Sequence, residues 1–355
     1  MLDFKNAKRI GGLLLAASLF FGCESRSSIQ EASQEPVSES ERIKKQDWAV
    51  VIHGGAGTIL KENMSPEKEE EIYQKLEEVL LEAERILSNG GSSIDAVESC
   101  IQIMEASPLF NAGKGSVFTH EGRNEMDASI MNGADLDAGA VAGVSHVKSP
   151  ISAARQVMEN SPHVMLSREG AEEFAEQMGE EMVEPSYFFT QDRFETLQRV
   201  KEREEEKRKE NPDDKYGTVG VVCLDELGNL AAGTSTGGMT NKRWGRIGDS
   251  PIIGAGTYAN NKSCGVSATG HGEFFIRLAV AHEISSQMIY QGKSVDEAAK
   301  NVVLEQLTNI GAAGGVVAMD YNGDYSMVFN TPGMYRAYLN AEGEKVMAMY
   351  KEEEE

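Results

Sequence analysis

Two rhythms of apolar residues alternate along the chain. The first, Trp48-Ala-Val-Val-Ile-His53, is short and rich in β-branched residues, and Gly54-Gly55-Ala56-Gly57 follows it. That predicts a buried strand running into a tight turn. From Ser65-Pro66 onward, Ile72, Leu76, Val79, Leu80, Ala83, Ile86 and Leu87 recur at helical spacing, and Asn89-Gly90-Gly91 stops them. Ile94, Val97, Ile101 and Met104 mark a second helix near Ser93 to Glu105. The glycine-rich stretch from Met126 to Val147 predicts short strands, and helical spacing returns through Ala153 to Met158 and Glu169 to Met178.

Phe194 to Lys209 is then intensely charged and Asn211-Pro212-Asp213-Asp214 breaks it, so residues 186–217 are expected to form a mobile linker. At Thr218-Val-Gly-Val-Val-Cys-Leu224 the chain becomes a strand, and a turn leads to a second strand from Leu230 to about Thr236, a β-hairpin. Helices are expected at Glu273 to Tyr290 and Ser294 to Leu307, with Ser294 and Glu297 in capping-box spacing. A last strand pair, Gly315 to Asp320 and Tyr325 to Asn330, surrounds Asn322-Gly323. Paired strands with helices between them imply helical layers over mainly antiparallel sheets, an α+β class.

The N-terminus follows neither rhythm. Lys5, Lys8 and Arg9 precede the apolar run Ile10 to Phe21, which is too short for a membrane-spanning helix but suits a secretory signal. The run ends at Gly22-Cys23, which resembles a bacterial lipoprotein cleavage site with Cys23 as the lipidated residue, although Phe20 and Phe21 are bulky for it. An ordinary signal peptide with an incidental cysteine is the other reading. Residues 24–46 lack an apolar period and read as a disordered tether. The expectation is an exported protein, periplasmic or anchored by lipid, whose folded domain spans 47–355.

A formal charge of -23 excludes nucleic acid as a partner, because phosphate binding needs a cationic surface. Cys100, Cys223 and Cys264 are widely spaced and form no CxxC pair, so they read as buried free thiols.

Two motifs compete for the chemistry. Gly233-Thr-Ser-Thr-Gly237 matches a nucleophile elbow and His53-Gly54-Gly55 an esterase oxyanion loop. An elbow must turn straight into a helix, and Gly238-Met-Thr-Asn-Lys-Arg-Trp-Gly245 has no helical period. The alternative starts at Tyr216-Gly217-Thr218-Val219-Gly220, where a hydroxyl residue opens a strand directly after a glycine. Attack of that hydroxyl on the preceding carbonyl, an N→O shift and hydrolysis of the ester would cut Gly217-Thr218. The freed α-amine, with a reference pKa of about 7.7–8.0, could then serve as base to its own hydroxyl.

Further blocks follow: Thr234-Ser-Thr-Gly-Gly-Met-Thr-Asn241, Gly245-Arg-Ile-Gly-Asp-Ser-Pro251, Gly254-Ala-Gly-Thr-Tyr-Ala-Asn260 and Ala268-Thr-Gly-His-Gly-Glu273. With His53-Gly-Gly-Ala-Gly57, Phe110-Asn-Ala-Gly113 and Gly139-Ala-Val-Ala-Gly-Val144, the chain resembles the plant-type asparaginase and isoaspartyl peptidase family of N-terminal nucleophile (Ntn) hydrolases from about Val50 to Tyr338. The resemblance implies a four-layer αββα sandwich, self-cleaved into an α part (47–217) and a β part (218–355), and a dimer of such heterodimers. It implies hydrolysis of β-aspartyl dipeptides and L-asparagine without a catalytic cofactor.

By the same resemblance Thr218 is the nucleophile and Thr236 holds its hydroxyl. Thr269 and the Gly270 N–H form the oxyanion hole, and Asn111 reaches the Thr218 amine. Arg246 and Asp249, with Gly270 and Gly272, take the α-carboxylate and α-ammonium of the substrate, and a cation able to bind bidentately suits the former. Backbone carbonyls of Met104, Glu105, Ser107, Phe110, Ala112 and Lys114 are implied as ligands of a structural sodium ion. Tyr216 replaces a frequent histidine. Glycosylasparaginase is a competing branch, but it tends to have Asp where Gly217 stands and Asn where Gly237 stands. A reading outside enzymes is an uncleaved lipoprotein that serves as a binding domain.

Overall fold

The computed structural model describes residues 46–206 and 217–351. The expected signal segment, Cys23, nearly all of the tether, Tyr216 and the Asn211-Pro212 break lie outside the described residues. Strand β1 is Ala49–Gly57, and helices α1 (Pro66–Leu87) and α2 (Ser93–Glu105) follow. Ser65 and Ser92 cap these helices by accepting from the backbone N–H groups of Lys68 and Asp95. Next come β2 (Met126–Asn132), β3 (Ala138–Val144), α3 (Pro150–Asn160), β4 (Met165–Ser167), α4 (Arg168–Gln177) and α5 (Gln191–Glu205). After Thr218 the order is β5 (Val219–Leu224), β6 (Leu230–Thr236), β7 (Thr257–Ala259), β8 (Cys264–Gly270), α6 (Gly272–Leu278), α7 (Val280–Gln291) and α8 (Val295–Lys300). Strands β9 (Gly314–Asp320), β10 (Tyr325–Phe329), β11 (Gly333–Asn340) and β12 (Lys345–Tyr350) close the chain.

These strands form an eight-stranded sheet, ordered β12-β11-β1-β5-β6-β2-β3-β4, and a four-stranded sheet, β10-β9-β8-β7. Every pairing is antiparallel except β3 with β4. One core lies between the large sheet and α1, α2, α3 and α4, where Val219, Val221 and Cys223 of β5 meet Leu76, Val97 and Ile101. A second lies between the small sheet and α6, α7 and α8. The third lies between the sheets, with Val222, Leu224, Leu230 and Ala232 against Val317 and Met319. The result is the expected αββα order of layers. Because β5 is covered on both faces, it reads as an unbroken apolar run.

The period-two geometry of strands sets which residues face the gap between the sheets. On β5 these are Gly220, Val222 and Leu224; on β6, Leu230, Ala232, Thr234 and Thr236; on β8, Gly265, Ser267 and Thr269. One end of the gap is therefore apolar and the other lined with hydroxyls.

Five expectations change, the last of them in the expected linker. The glycines after His53 continue β1 through an irregular register between His53 and Gly55 instead of turning away. Side chains there would collide, since a Cβ at Gly54 would stand 2.6 Å from the Phe110 ring. The helix expected over Glu273 to Tyr290 breaks at Ala279, a left-handed residue with φ 48°, and the one from Ser294 runs into a π-helix at Asn301–Leu307. Beyond Asn330 two more strands, β11 and β12, complete the large sheet.

The expected linker holds a helix: α5 occupies residues 191–205. Charge count hid the residues that anchor it. Leu197 is buried, Phe194 meets Phe118 edge to face at 5.6 Å and Phe189 at a tilt, also at 5.6 Å, and Arg193 donates through Nε to the Gly115 carbonyl at 3.0 Å. Among the described residues no helix is long and apolar enough to cross a membrane. Leu197→Ala should cost about 2–4 kcal/mol of stability, measured by urea denaturation, and expose the α5 segment to limited proteolysis. An unchanged denaturation midpoint would show that α5 is not docked.

Candidate active site

Thr218 stands immediately before β5, in the middle of the larger sheet, and is 7% exposed. Its Oγ1 lies 3.0 Å from Thr236 Oγ1, a contact made possible because Val219 on β5 pairs with Ser235 on β6. The Gly238 N–H donates to Thr236 Oγ1 at 2.9 Å, which leaves the Thr236 proton free to point at the Thr218 oxygen. The main chain is held as firmly. The carbonyl of Thr218 accepts from His53 Nδ1 at 3.1 Å, and His53 Nε2 meets Ser267 Oγ at 3.0 Å.

A carbonyl only accepts, so Nδ1 carries the proton and Nε2 accepts from Ser267. Burial pushes the His53 pKa down to about 3 and keeps the ring neutral. Ser267 in turn lies 2.7 Å from Thr234, and Thr257 and Ser129 extend the hydroxyl chain. At Gly220 any side chain would break this line, since a Cβ there would stand 1.8 Å from Ser267 Oγ.

Thr218, Thr236, Gly238, Arg246, Asp249 and Gly270 line one narrow cavity. Arg246 donates to both carboxylate oxygens of Glu273, Nε at 2.8 Å and Nη2 at 2.9 Å. That pair fixes the fork from one side and leaves Nη1 uncommitted. A Cβ at Gly272 would stand 2.7 Å from Asp249 Oδ1 and 2.9 Å from Arg246 Nη2, so only glycine leaves room for both side chains there. Asp249 is buried and its Oδ2 has no hydrogen-bond partner. Desolvation raises its pKa to about 7 against the opposing pull of a backbone hydrogen bond and Arg246.

Asn111 comes from the loop after α2. Its N–H donates to the Gly217 carbonyl at 2.9 Å and its side chain is fixed by the Gly238 carbonyl and the Val117 N–H. Both Gly217 and Gly237 press on it: a Cβ at Gly217 would lie 2.7 Å from Asn111 Cβ, and one at Gly237 would lie 2.5 Å from Oδ1. Neither Asp nor Asn fits at those places. Thr269 stands one residue away from the cavity wall, buried, and its Oγ1 accepts from the Ala56 N–H at 3.3 Å, which leaves its proton available.

His53, Ser267 and Glu273 were missed as site residues by sequence reasoning. His53 and Glu273 both lay within blocks that carry the family resemblance, but without a role of their own. In the loop expected to bind sodium, the Glu105 carbonyl would lie 2.2 Å from a Cβ at Gly113 and the Phe110 carbonyl 1.9 Å from one at Gly115. Both glycines are therefore required for the loop to pack closely against its own backbone. The three cysteines are free and buried, and burial raises the pKa of each.

An asparaginase family model matches residues 46–349. The chain is 47% identical over 308 residues to an isoaspartyl peptidase of Salmonella typhimurium, covering 85% of this chain and 98% of that one. It is 46% identical over 308 residues to an isoaspartyl peptidase of Escherichia coli, covering 85% and 96%. With an isoaspartyl peptidase/L-asparaginase of Mus musculus it shares 41% identity over 287 residues, covering 80% and 86%.

The raised carboxyls have a consequence for stability. Asp249 and Glu105, both pushed up to about 7 chiefly by burial, keep protons in the folded chain at pH values where the unfolded chain has lost them. Folding stability therefore falls as pH rises from the ordinary carboxyl range of about 4 toward about 7. Urea denaturation across that range should show the decline, and Asp249→Asn should flatten it. An unchanged slope in the variant would mean that the Asp249 carboxyl titrates normally.

Proposed function

The chain belongs to the asparaginase family, and from the geometry around Thr218 we propose that it cleaves itself at Gly217-Thr218 and then hydrolyses β-aspartyl dipeptides and L-asparagine with the freed threonine. The observation that carries this reading is the Thr218–Thr236 hydroxyl pair facing Arg246 and Asp249 across one narrow cavity.

In the precursor, Thr218 Oγ1 attacks the Gly217 carbonyl carbon. The oxygen of that carbonyl already accepts from the Asn111 N–H, which stabilises the charge that develops on it. Breaking the C–N bond leaves an ester and a free amine, and water splits the ester to a Gly217 carboxylate and an N-terminal Thr218.

The substrate head group then pairs its α-carboxylate with Arg246 and its α-ammonium with Asp249, which places the β-carbonyl at Thr218 Oγ1. The α-amine of Thr218 takes the hydroxyl proton while Thr236 donates to the nucleophilic oxygen. Thr269 Oγ1 and the Gly270 N–H receive the oxyanion. Collapse of the tetrahedral intermediate passes the proton to the leaving amine and forms an aspartyl ester. Water activated by the same α-amine releases aspartate. Gly217 and Gly237, tight against Asn111, favour this branch over a glycosylasparaginase.

By the family resemblance, carbonyls of Met104, Glu105, Ser107, Phe110, Ala112 and Lys114 would hold a sodium ion that stiffens the Asn111 loop, and hard oxygen ligands suit that ion. Export, lipidation of Cys23 and assembly as a dimer of cleaved heterodimers complete the proposal. They rest on the order of cationic residues, apolar run and Gly22-Cys23, and on the family resemblance. Mass spectrometry of the mature N-terminus and gel filtration test them.

Denaturing electrophoresis of the purified protein should show two fragments, the smaller beginning at Thr218, and Thr218→Ala should remain whole and inactive. A wild-type chain that is intact and active would overturn the mechanism. Thr236→Val should lower kcat by about a hundredfold or more with little change in KM, as loss of one donor to a reacting oxygen does. Asp249 must be ionised to hold the ammonium, so KM should rise as pH falls below about 7, and Asp249→Asn should remove that dependence.

A further inference from the structure

A second, larger cavity of about 670 Å³ borders the scissile peptide and is not lined by Arg246 or Asp249. Gly217 and Asn111 line it, whereas Thr218 lines the narrow cavity, so the Gly217-Thr218 peptide is the partition between the two. With the aspartyl head group at Arg246 and Asp249 and the acyl carbon at Thr218 Oγ1, the leaving group projects to the far side of that partition. For asparagine the leaving group is ammonia, which needs no such space. For a dipeptide it is a whole amino acid, and a cavity of this size holds one.

The charge of the wall is unusual for this chain. Lys68, Arg193 and Arg199 line the cavity against a single carboxylate, Asp192, in a protein whose formal charge is -23. Arg193 uses Nε on the Gly115 carbonyl, and none of the ion pairs among the described residues includes it. Burial lowers its pKa against the weaker opposing pull of Tyr335 and Asp192. Arg199 donates through Nη2 to Thr196 Oγ1 and reaches Glu195 only at 4.0 Å.

Thr190 adds an independent sign. It occupies the N-cap of the 15-residue α5, makes no capping bond, and its Oγ1 is buried without a partner in the same wall. A buried hydroxyl left unpaired beside a helix N-terminus and a half-buried guanidinium is arranged for an anion. Ile59, Leu60, Met64 and Leu109 add an apolar patch to a lining that also holds Asn63, Ser65 and Thr196.

We propose that this cavity is the subsite for the leaving amino acid of a β-aspartyl dipeptide, with Arg193 and Thr190 receiving its free α-carboxylate and the apolar patch its side chain. The proposal rests on the Thr218 reading above and deepens it.

The test compares β-aspartyl-leucine, its C-terminal amide and L-asparagine as substrates of the cleaved enzyme. Wild type should prefer the free acid over the amide by about tenfold in kcat/KM, the size of one hydrogen bond to a charged group. Arg193→Gln should bring that ratio to within about twofold, and Arg193→Lys should retain most of it. Free leucine should inhibit wild type more strongly than leucinamide does. Equal rates for acid and amide in wild type would overturn the subsite, as would an Arg193→Gln variant whose acid-to-amide ratio is unchanged. The wild-type ratio decides the matter even where the variant folds poorly. Failure of wild type to hydrolyse any of the three would instead bring down the Thr218 reading itself.

Discussion

The position of Thr218 depends on how closely two sheets approach each other at the hydroxyl-lined end of the gap between them. Along most of that gap, Val222, Leu224, Val317 and Met319 set the spacing. At Gly220 the spacing shrinks, because the Ser267–His53 pair occupies the volume in which a Cβ would lie. His53 then reaches the Thr218 carbonyl, and the main chain on both sides of the nucleophile is fixed by β1, by β6 and by Asn111. A nucleophile held in this way needs only small motions to meet a carbonyl, which is where most of the advantage of an oriented reaction lies. The cost is a buried polar chain, tolerable because each hydroxyl from Ser129 to His53 has a neighbour to bond.

Electrostatics of the head-group site follow a different rule. Arg246 is already paired with Glu273, whereas Asp249 keeps one oxygen unpartnered. The guanidinium therefore stays in place whether or not substrate is present, and the buried carboxylate carries the unfavourable desolvation that an incoming ammonium would relieve. On the proposed reading, recognition would combine one preorganised cation with one destabilised anion. That combination favours ligands bearing both charges over those bearing one, since an α-carboxylate alone would leave Asp249 uncompensated.

Much of this was legible in the sequence, and the misses have definite causes. The strands were visible because both faces of β5 and β6 are covered, so apolar and hydroxyl residues run without interruption. Helices α1 and α2 declared themselves through their stripes and serine caps. Helix α5 did not, because three residues, Arg193, Phe194 and Leu197, carry its docking within a segment otherwise full of charge. The break at Ala279 was hidden because nothing in the local sequence demands a left-handed residue there. Among site residues, Arg246 and Asp249 came from the family resemblance, with which their opposite charges agree. His53 and Ser267 did not, because their role is an inter-sheet contact between positions 214 apart, which no local pattern encodes.

The glycines around Asn111 connect the two halves of the mechanism. Gly217 must be small for its carbonyl to reach the Asn111 N–H, and that same peptide separates the narrow head-group cavity from the larger one beyond. While the peptide is intact, the nucleophile has no free amine and the two cavities are not joined at the scissile position. Cutting it removes the partition and creates the base in one event. Toward a dipeptide, on the proposed reading, an uncleaved chain would thus be blocked both chemically and sterically. The residue that sets this coupling is Gly217, because any side chain there would push the carbonyl away from its donor before the first bond could break.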